Sequence, residues 1–519
     1  MSPEQARELA GLSRETGRQI GLLIDRSGRP EHVLVGEFSS VAIPELPRSR
    51  LGAGRLRGLR LLHTHLSGEK LSQEDLMDLV FLRLDSVTAL QVSPEGLPAE
   101  VQLAHLLPPN PAGKAYEVLP PARAERFDLD LAALTAAIEE ELGRAERGRE
   151  VEAAAGGERA LLVSVSIEPR AVQEASLDEL AELARTAGLC VVGRMVQRVG
   201  RLNPRFILGK GKLVELEVMA LRGSAQIVLF DQDLSAAQMR NLAEVTERRV
   251  LDRTQLILDI FAQHATSRAG KLQVEMAQLK YTLPRLVGKN QALSRLVGGI
   301  GGRGPGETKL EIDRRRVRER ITRLKQEIFT LRRQRGSTRE RRSRVGVPVV
   351  SLVGYTNAGK STLLNTLTGS AVAAENKLFA TLDPVSRRIR FPREREVVIT
   401  DTVGFIRRLP PDLKEAFLAT LEELESADLL LHVADASHPQ VEEQVRAVEV
   451  ILAEMELGGP RLLALNKWDA APEEARAAAL RLFPDGIPVS ALERATLEPL
   501  VEALLVRLPF GALRRADVP

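Results

Sequence analysis

Apolar and polar positions along the 519-residue chain follow two rhythms: short unbroken apolar runs, and apolar residues stepping by three and four. Runs of strand length fall at 20–24, 32–35 and 59–62, then at 161–165, 190–192 and 227–230, then at 349–353, 397–399 and 462–465. Unbroken apolar strands belong to sheets covered on both faces. Helical spacing lies between them, over 73–82, 129–147, 177–187 and 236–246. This alternation predicts a multidomain α/β protein. A third pattern is a heptad seam. Leu258, Phe261, Ala265, Arg268, Leu272, Met276, Leu279, Leu283 and Leu286 step together, as do Val317, Ile321, Leu324, Ile328 and Leu331, which predicts two long antiparallel helices packed as a coiled coil. Between them, residues 298–306 hold six glycines and a proline in nine positions. Such a stretch cannot be helix; it is either a bare hairpin tip that lets backbone approach a ligand or a flexible connector.

These patterns give five segments: an N-terminal α/β extension (1–104), a Pro-rich linker and helix (105–157), a small parallel α/β module (158–250), the helical hairpin (251–345) and a P-loop domain (346–510). The linker reading rests on Pro108, Pro109, Pro111, Pro120 and Pro121. In the third segment, Gly209 to Lys212 precedes a helix and reads equally as an anion-holding turn or a plain one.

The last strand-to-helix step carries chemistry. Val349–Val353 runs into Gly354, Tyr355, Thr356, Asn357, Ala358, Gly359, Lys360 and Ser361, with Thr362 opening a helix. This is G-x-x-x-x-G-K-S in its required context. Backbone amides turn in on phosphate oxygens, Lys360 brings a point charge to the outer phosphates, and the Ser361 hydroxyl suits Mg²⁺. After the strand 397–399, Asp401-Thr402-Val403-Gly404 is a D-x-x-G that sets Asp401 near the metal, through water, and the Gly404 amide against a terminal phosphate. The strand 462–465 ends in Asn466-Lys467-Trp468-Asp469, whose carboxylate can accept both N1–H and the exocyclic amine of guanine. Adenine offers no such donor pair, so the substrate read here is GTP. Ser490, Ala491 and Leu492 supply a loop for the guanine carbonyl. In this order the motifs resemble a translation-factor-related, Ras-like GTPase over residues 347–508.

Thr381, in Phe379-Ala-Thr381-Leu-Asp-Pro384, is the candidate to complete Mg²⁺ coordination and sense the third phosphate. Position 405 departs from the Ras-like pattern. There a glutamine orients the attacking water, whereas here Phe405 cannot hydrogen-bond water, so the expectation is slow hydrolysis that a partner stimulates. In GTPases with asparagine at the place of Asn357, that side chain helps to hold a potassium ion, and the resemblance extends this to Asn357. Catalytic work is thus expected of Lys360, Thr381, Gly404 and Asn357.

Composition narrows the setting. With 28% charged and 44% hydrophobic residues the chain is ordinary for a soluble protein. A lone cysteine excludes an internal disulfide, and neither a span-length apolar run nor a leader is apparent, so a cytoplasmic protein is expected. Net charge is only +3, yet Arg303 to Arg344 holds sixteen Lys or Arg against six Asp or Glu. That block is either a phosphate-facing surface or a solvated helix face. With Arg295, Arg303, Lys309, Arg314 and Arg315 around the glycine tip, the reading is an RNA-binding hairpin.

In the N-terminal extension, His63-Thr-His65 followed by Ser72 and Asp75 places two imidazoles on one face of a strand with a carboxylate on the next helix. This resembles the H-x-H…S-x-x-D signature of JAMM metallopeptidases and RadC proteins. The gap from His65 to Ser72 is one residue short and Leu66 replaces a proline; the catalytic glutamate has only ambiguous candidates, such as Glu15 and Glu37. The reading is a related fold without peptidase activity, in which zinc and a structural histidine pair both stand open.

The order of α/β module, heptad hairpin tipped by GGIGGRGPGETKLE, then GYTNAGKST, FATLDP, DTVGF and NKWD resembles the HflX family of GTPases over residues 155–508. That resemblance implies a ribosome-associated GTPase that binds the large subunit and its rRNA and, with GTP bound, splits stalled or idle ribosomes under stress. A monomer using Mg²⁺, and K⁺ if Asn357 serves as above, is expected. The alternative is a GTP-dependent RNA chaperone or large-subunit assembly factor without splitting activity.

Overall fold

The computed structural model describes residues 3–44, 46, 55–108, 110, 114–153, 157–246, 248–286, 309–345, 347–369, 378–379, 385–391, 395–407, 424–425 and 427–510. Its contacts divide the chain into two units, Met1–Asp252 and Arg253–Pro519.

The first unit holds two sheets. In the N-terminal one, β1 (Ile20–Asp25), β2 (Pro30–Val35), β3 (Leu59–His65), β4 (Ser86–Val92), β5 (Pro98–Leu106) and β6 (Tyr116–Val118) run in the order β2-β1-β3-β4-β5-β6, and β7 (Ala122–Arg123) also pairs with β5. Only the β3–β4 pair is parallel; its crossover is helix α2 (Gln73–Phe81). Alternation along β3 feeds two cores: Leu61 joins Leu79, Val87 and Ala104 on one face, and Leu62 joins Ala6, Leu9 and Leu90 under helix α1 (Pro3–Thr16) on the other. The expected boundary at residue 104 falls inside β5. Residues 116–118 and 122–123, read as linker, are strands of this sheet, and Ile138 of helix α3 (Leu131–Ala153) lies in its core. Prolines can flank an edge strand where no ladder donor is needed, which is why composition alone misread this stretch.

The second sheet is wholly parallel, with β8 (Arg159–Ser166), β9 (Cys190–Arg198), β10 (Ile227–Phe230) and β11 (Arg249–Asp252) in the order β11-β10-β8-β9. Helices α4 (Arg170–Thr186), α5 (Lys210–Gly223) and α6 (Ala236–Thr246) are its crossovers. Leu161, Val163, Leu216, Val228 and Phe230 fill its core, as the apolar runs require. Gly209 is the residue before α5 and makes no side-chain cap there.

In the second unit the long first heptad helix is two helices, α7 (Arg253–His264) and α8 (Arg268–Thr282). The Ser267 hydroxyl accepts from the Gly270 amide at 2.9 Å and starts α8 anew. A serine at this place competes for backbone partners, which the apolar count across the break does not register. Helix α9 (Lys309–Val345) returns along α8. The pairs Arg320–Glu275 (2.7 Å) and Arg268–Glu327 (3.7 Å) fix an antiparallel register: seven residues forward on one helix is seven back on the other. Leu272, Met276, Ile321, Leu324 and Ile328 form the seam. The glycine tip lies outside the described residues.

The P-loop domain is a six-stranded sheet of β12 (Val349–Gly354), β13 (Val385–Phe391), β14 (Arg395–Asp401), β15 (Leu429–Asp435), β16 (Arg461–Asn466) and β17 (Ile487–Pro488), ordered β13-β14-β12-β15-β16-β17. All neighbours are parallel except β13 and β14. Helices α10 (Lys360–Thr368), α11 (Val441–Glu454), α12 (Glu473–Leu482) and α13 (Glu498–Arg507) complete it. Among the described residues, no helix is long and apolar enough to cross a membrane.

Candidate nucleotide-binding site

The site forms at the carboxyl ends of β12, β14 and β16, where an open parallel sheet presents its loops. β12 lies between β14 and β15, and Val350, Leu352 and Val353 are fully buried, so the loop that follows springs from a rigid base. Gly359 has φ +90°, and a Cβ there would stand 2.2 Å from Asn466 Nδ2. Only glycine fits so close an approach. The first-turn amides of α10 have no acceptor within the helix and carry the positive end of its dipole, an arrangement that suits phosphate.

Lys360 is buried, and its ammonium donates to the carbonyls of Gly354 (3.1 Å) and Tyr355 (2.8 Å). Burial pushes it down to about 8, with Asp401 opposing. The Ser361 hydroxyl donates to Asp401 Oδ2 at 2.6 Å. A hydroxyl and a carboxylate brought together at the start of a helix are hard oxygen donors, and this pair fits a magnesium ion better than a soft metal. Thr381, the third expected ligand, lies outside the described residues.

The D-x-x-G segment docks on the loop edge. Phe405 pairs with Tyr355: its amide donates to Gly354 O at 3.0 Å and its carbonyl accepts from the Thr356 amide at 2.8 Å. The Thr356 amide, expected to face phosphate, therefore points to Phe405 here, because the extended DTVGF strand end supplies a nearer acceptor. Gly404 is packed so tightly that a Cβ would meet Thr356 Cα at 2.8 Å and Lys360 Nζ at 3.0 Å. The Phe405 side chain is buried.

On the base side, Asn466 Nδ2 donates to Ala358 O (2.8 Å) and Asn466 Oδ1 accepts from the Ala491 amide (2.8 Å). One side chain thus ties three loops together. Thr366 of α10 adds a hydroxyl bond to Ala491 O. Lys467 pairs with Asp435 at 2.7 Å. Asp469 is exposed, and Ser490 is buried with its hydroxyl lacking a protein partner. The Leu492 side chain is 76% exposed. Asn357 is exposed and has a positive φ of +62°.

Two residues, Asp435 and His432, escaped sequence reasoning, as did the role of the Tyr355 hydroxyl. Tyr355 Oη accepts from the Arg407 amide at 2.9 Å, fastening the switch strand. Asp435, which orients Lys467, ends the apolar run of β15, and a carboxylate at the carboxyl end of a central strand was the available signal. His432 is buried on the same strand; burial, then the charges of Lys360 and Arg461, push it down to about 4, so it stays neutral beneath the loop.

Of the expected RNA contacts, Arg295 and Arg303 lie outside the described residues, as does the side chain of Lys309, which opens α9. Arg314 and Arg315 lie one turn further on; Arg315 is exposed and stands 3.9 Å from Glu319. In the first unit, His63, His65 and Asp75 come together, while Glu15 and Glu37 are exposed and stand outside the group.

Comparison with known proteins covers most of this architecture. Three family models match in tandem: "GTP-binding GTPase N-terminal" at 174–262, "GTP-binding GTPase Middle Region" at 264–342 and "50S ribosome-binding GTPase" at 349–467. The chain is 48% identical over 352 residues to GTPase HflX of Caldanaerobacter subterraneus subsp. tengcongensis, covering 67% of this chain and 80% of that one. It is also 48% identical over 314 residues to GTPase HflX of Escherichia coli K12, covering 60% and 74%. A solved GTP-binding protein of Sulfolobus solfataricus in complex with GDP is 25% identical with a TM-score of 0.38, over 67% of this chain and 98% of that one. The protein belongs to the HflX family of GTPases, and its chemistry is the hydrolysis of GTP.

Proposed function

We propose that this GTPase binds the large ribosomal subunit and, with GTP bound, separates stalled or idle ribosomes into subunits. The observation that carries the proposal is the union, within one unit, of a P-loop domain and a helical pair whose returning helix α9 lies in the chain's most basic stretch. Each phosphate that such a helix neutralises releases counterions, so ribosomal RNA is its natural partner. The model matched at 349–467, described as a 50S ribosome-binding GTPase, supports the same partner.

In this reading Gly354 to Thr362 cradle the phosphates, Lys360 leaves its loop carbonyls for them, and Ser361 and Asp401 hold magnesium, completed by Thr381. When bound, the ion neutralises charge on the phosphates. Asp469 and the Ser490–Leu492 loop read guanine. Phe405, buried and apolar, cannot orient water, so turnover waits for the ribosome; a partner can supply ~10³ to 10⁵ in rate. Asn357 helps to hold a potassium ion in this reading, and equal rates in potassium and sodium salts would remove that role. The protein acts as a cytoplasmic monomer.

Gradient sedimentation tests the reading. Whole ribosomes incubated with the protein and a non-hydrolysable GTP analogue should convert to subunits, and with GDP should not. Binding confined to immature large subunits, with whole ribosomes left intact, would replace splitting by an assembly role.

A further inference from the structure

We propose that His63, His65 and Asp75 hold a zinc-class divalent ion that clamps α2 onto β3 and so sets the joint between the two sheets of the first unit.

The side chains of His63 and His65 are 2% and 3% exposed, and that of Asp75 13%. His63 Nε2 stands 3.3 Å from Asp75 Oδ1, and His65 Nε2 stands 3.6 Å from Asp75 Oδ2. Bonds of ~2.0 to 2.1 Å to a tetrahedral zinc put ligand atoms about 3.3 Å apart, so the donors already stand near the edges of such a site. All three lie within 4.8 Å of one another.

The hydrogen bonds say which atoms are donors to a metal. His65 Nδ1 lies 3.0 Å from the Glu69 carbonyl, which can only accept. The proton is therefore on Nδ1, and in the neutral ring Nε2 offers a lone pair. That lone pair faces a carboxylate, acceptor against acceptor, a contact that a cation between them relieves. Among the described residues, neither nitrogen of His63 finds a hydrogen-bond partner. Asp75 is held in turn: its Oδ2 accepts from the Ser72 amide at 2.6 Å in the capping box that starts α2. A ring fixed by a carbonyl and a carboxylate fixed by an amide are the outer-shell supports that orient metal ligands. Two imidazoles and a carboxylate select zinc-class ions over magnesium or calcium.

The consequence lies in what α2 touches. Phe81 at its end packs on the core of the second sheet, Val214 of α5 packs on the core of the first, and Gln73 Nε2 is 3.0 Å from where a Cβ of Gly211 would stand. An ion bridging β3 and α2 thus anchors the helix that both cores share. Glu15 and Glu37 are exposed, and among the described residues only His63, His65 and Asp75 make up the group.

The test uses the full chain purified without a chelating column. We expect about one zinc per chain, replaceable by cobalt(II) with visible bands of four-coordinate geometry. Asp75→Asn, which keeps the shape of the cap, should weaken cobalt binding about a hundredfold. Removing the metal should speed hydrogen exchange in α2 and leave exchange in α10 unchanged. A wild-type chain that takes up neither ion, or an Asp75→Asn chain that binds as wild type does, would overturn the site. Unchanged exchange in α2 on metal removal would overturn the clamp.

Discussion

Burial holds the Lys360 ammonium near a pKa of about 8, with Asp401 pulling the other way. Phosphate beside it favours the charged form and raises that value, so nucleotide binding takes up a proton above pH 8. Affinity should fall as pH rises through 8 to 10, and calorimetry in buffers of different ionisation enthalpy should read the uptake; none at pH 9 would contradict it. The stability sign is the converse. The unfolded lysine, at 10.5, binds more protons than the folded one in this window, so the empty domain gains stability as pH rises from 8 to 10.5 and loses it as pH falls through 8. Asp469 gives a second residue-scale prediction. Asparagine presents a donor where aspartate accepts, so Asp469→Asn should weaken GTP by at least ~10² and favour xanthosine triphosphate, whose second carbonyl accepts. Equal GTP affinity in the variant would remove the base-reading role. That the glycine-rich loop joins β12 to α10, and that Asp401 and Asn466 end β14 and β16, was legible because motifs of fixed residue type and spacing follow unbroken apolar runs. The stitching by Asn466 was not, since its partners lie 108 and 25 residues away in sequence and only the folded sheet brings them together.

At the scale of elements, apolar runs announced β8, β10 and β12 because both faces of those strands are covered. Where the tertiary setting decides, the pattern fell short. β6 and β7 are edge strands of three and two residues among prolines, and β11 has only Val250 and Leu251 between charged ends, too short an apolar run to stand out. The heptad count ran through Ala265 and Arg268 because register continues across the break while hydrogen bonding does not. The α8–α9 seam is nonetheless the one the spacing named. Leu324 is fully buried within it, so Leu324→Ala should cost about 2 to 5 kcal/mol on chemical denaturation of the second unit. The Arg320–Glu275 pair is about 40% exposed on each side, and its loss should cost at most about 1 kcal/mol. A larger effect from the ion pair than from the leucine would mean that the helices are not held by their apolar seam.

For the whole molecule, a net charge of +3 conceals a basic segment of +10 set against −7 elsewhere. This separation, legible from sequence alone, directs the functional reading toward nucleic acid. The family models run from residue 174 to 467, so the first sheet with its histidine pair stands before the matched region. If nucleotide state governs ribosome engagement, pelleting with large ribosomal subunits will report it. The chain should pellet most with a GTP analogue, less with GDP and least empty. Binding should fall steeply between 50 and 300 mM salt, at about 0.9 log units per log of salt for each phosphate contacted. Replacing Arg303, Arg314 and Arg315 by glutamate should abolish pelleting and leave GTP affinity intact. Equal pelleting in all three nucleotide states would contradict the account.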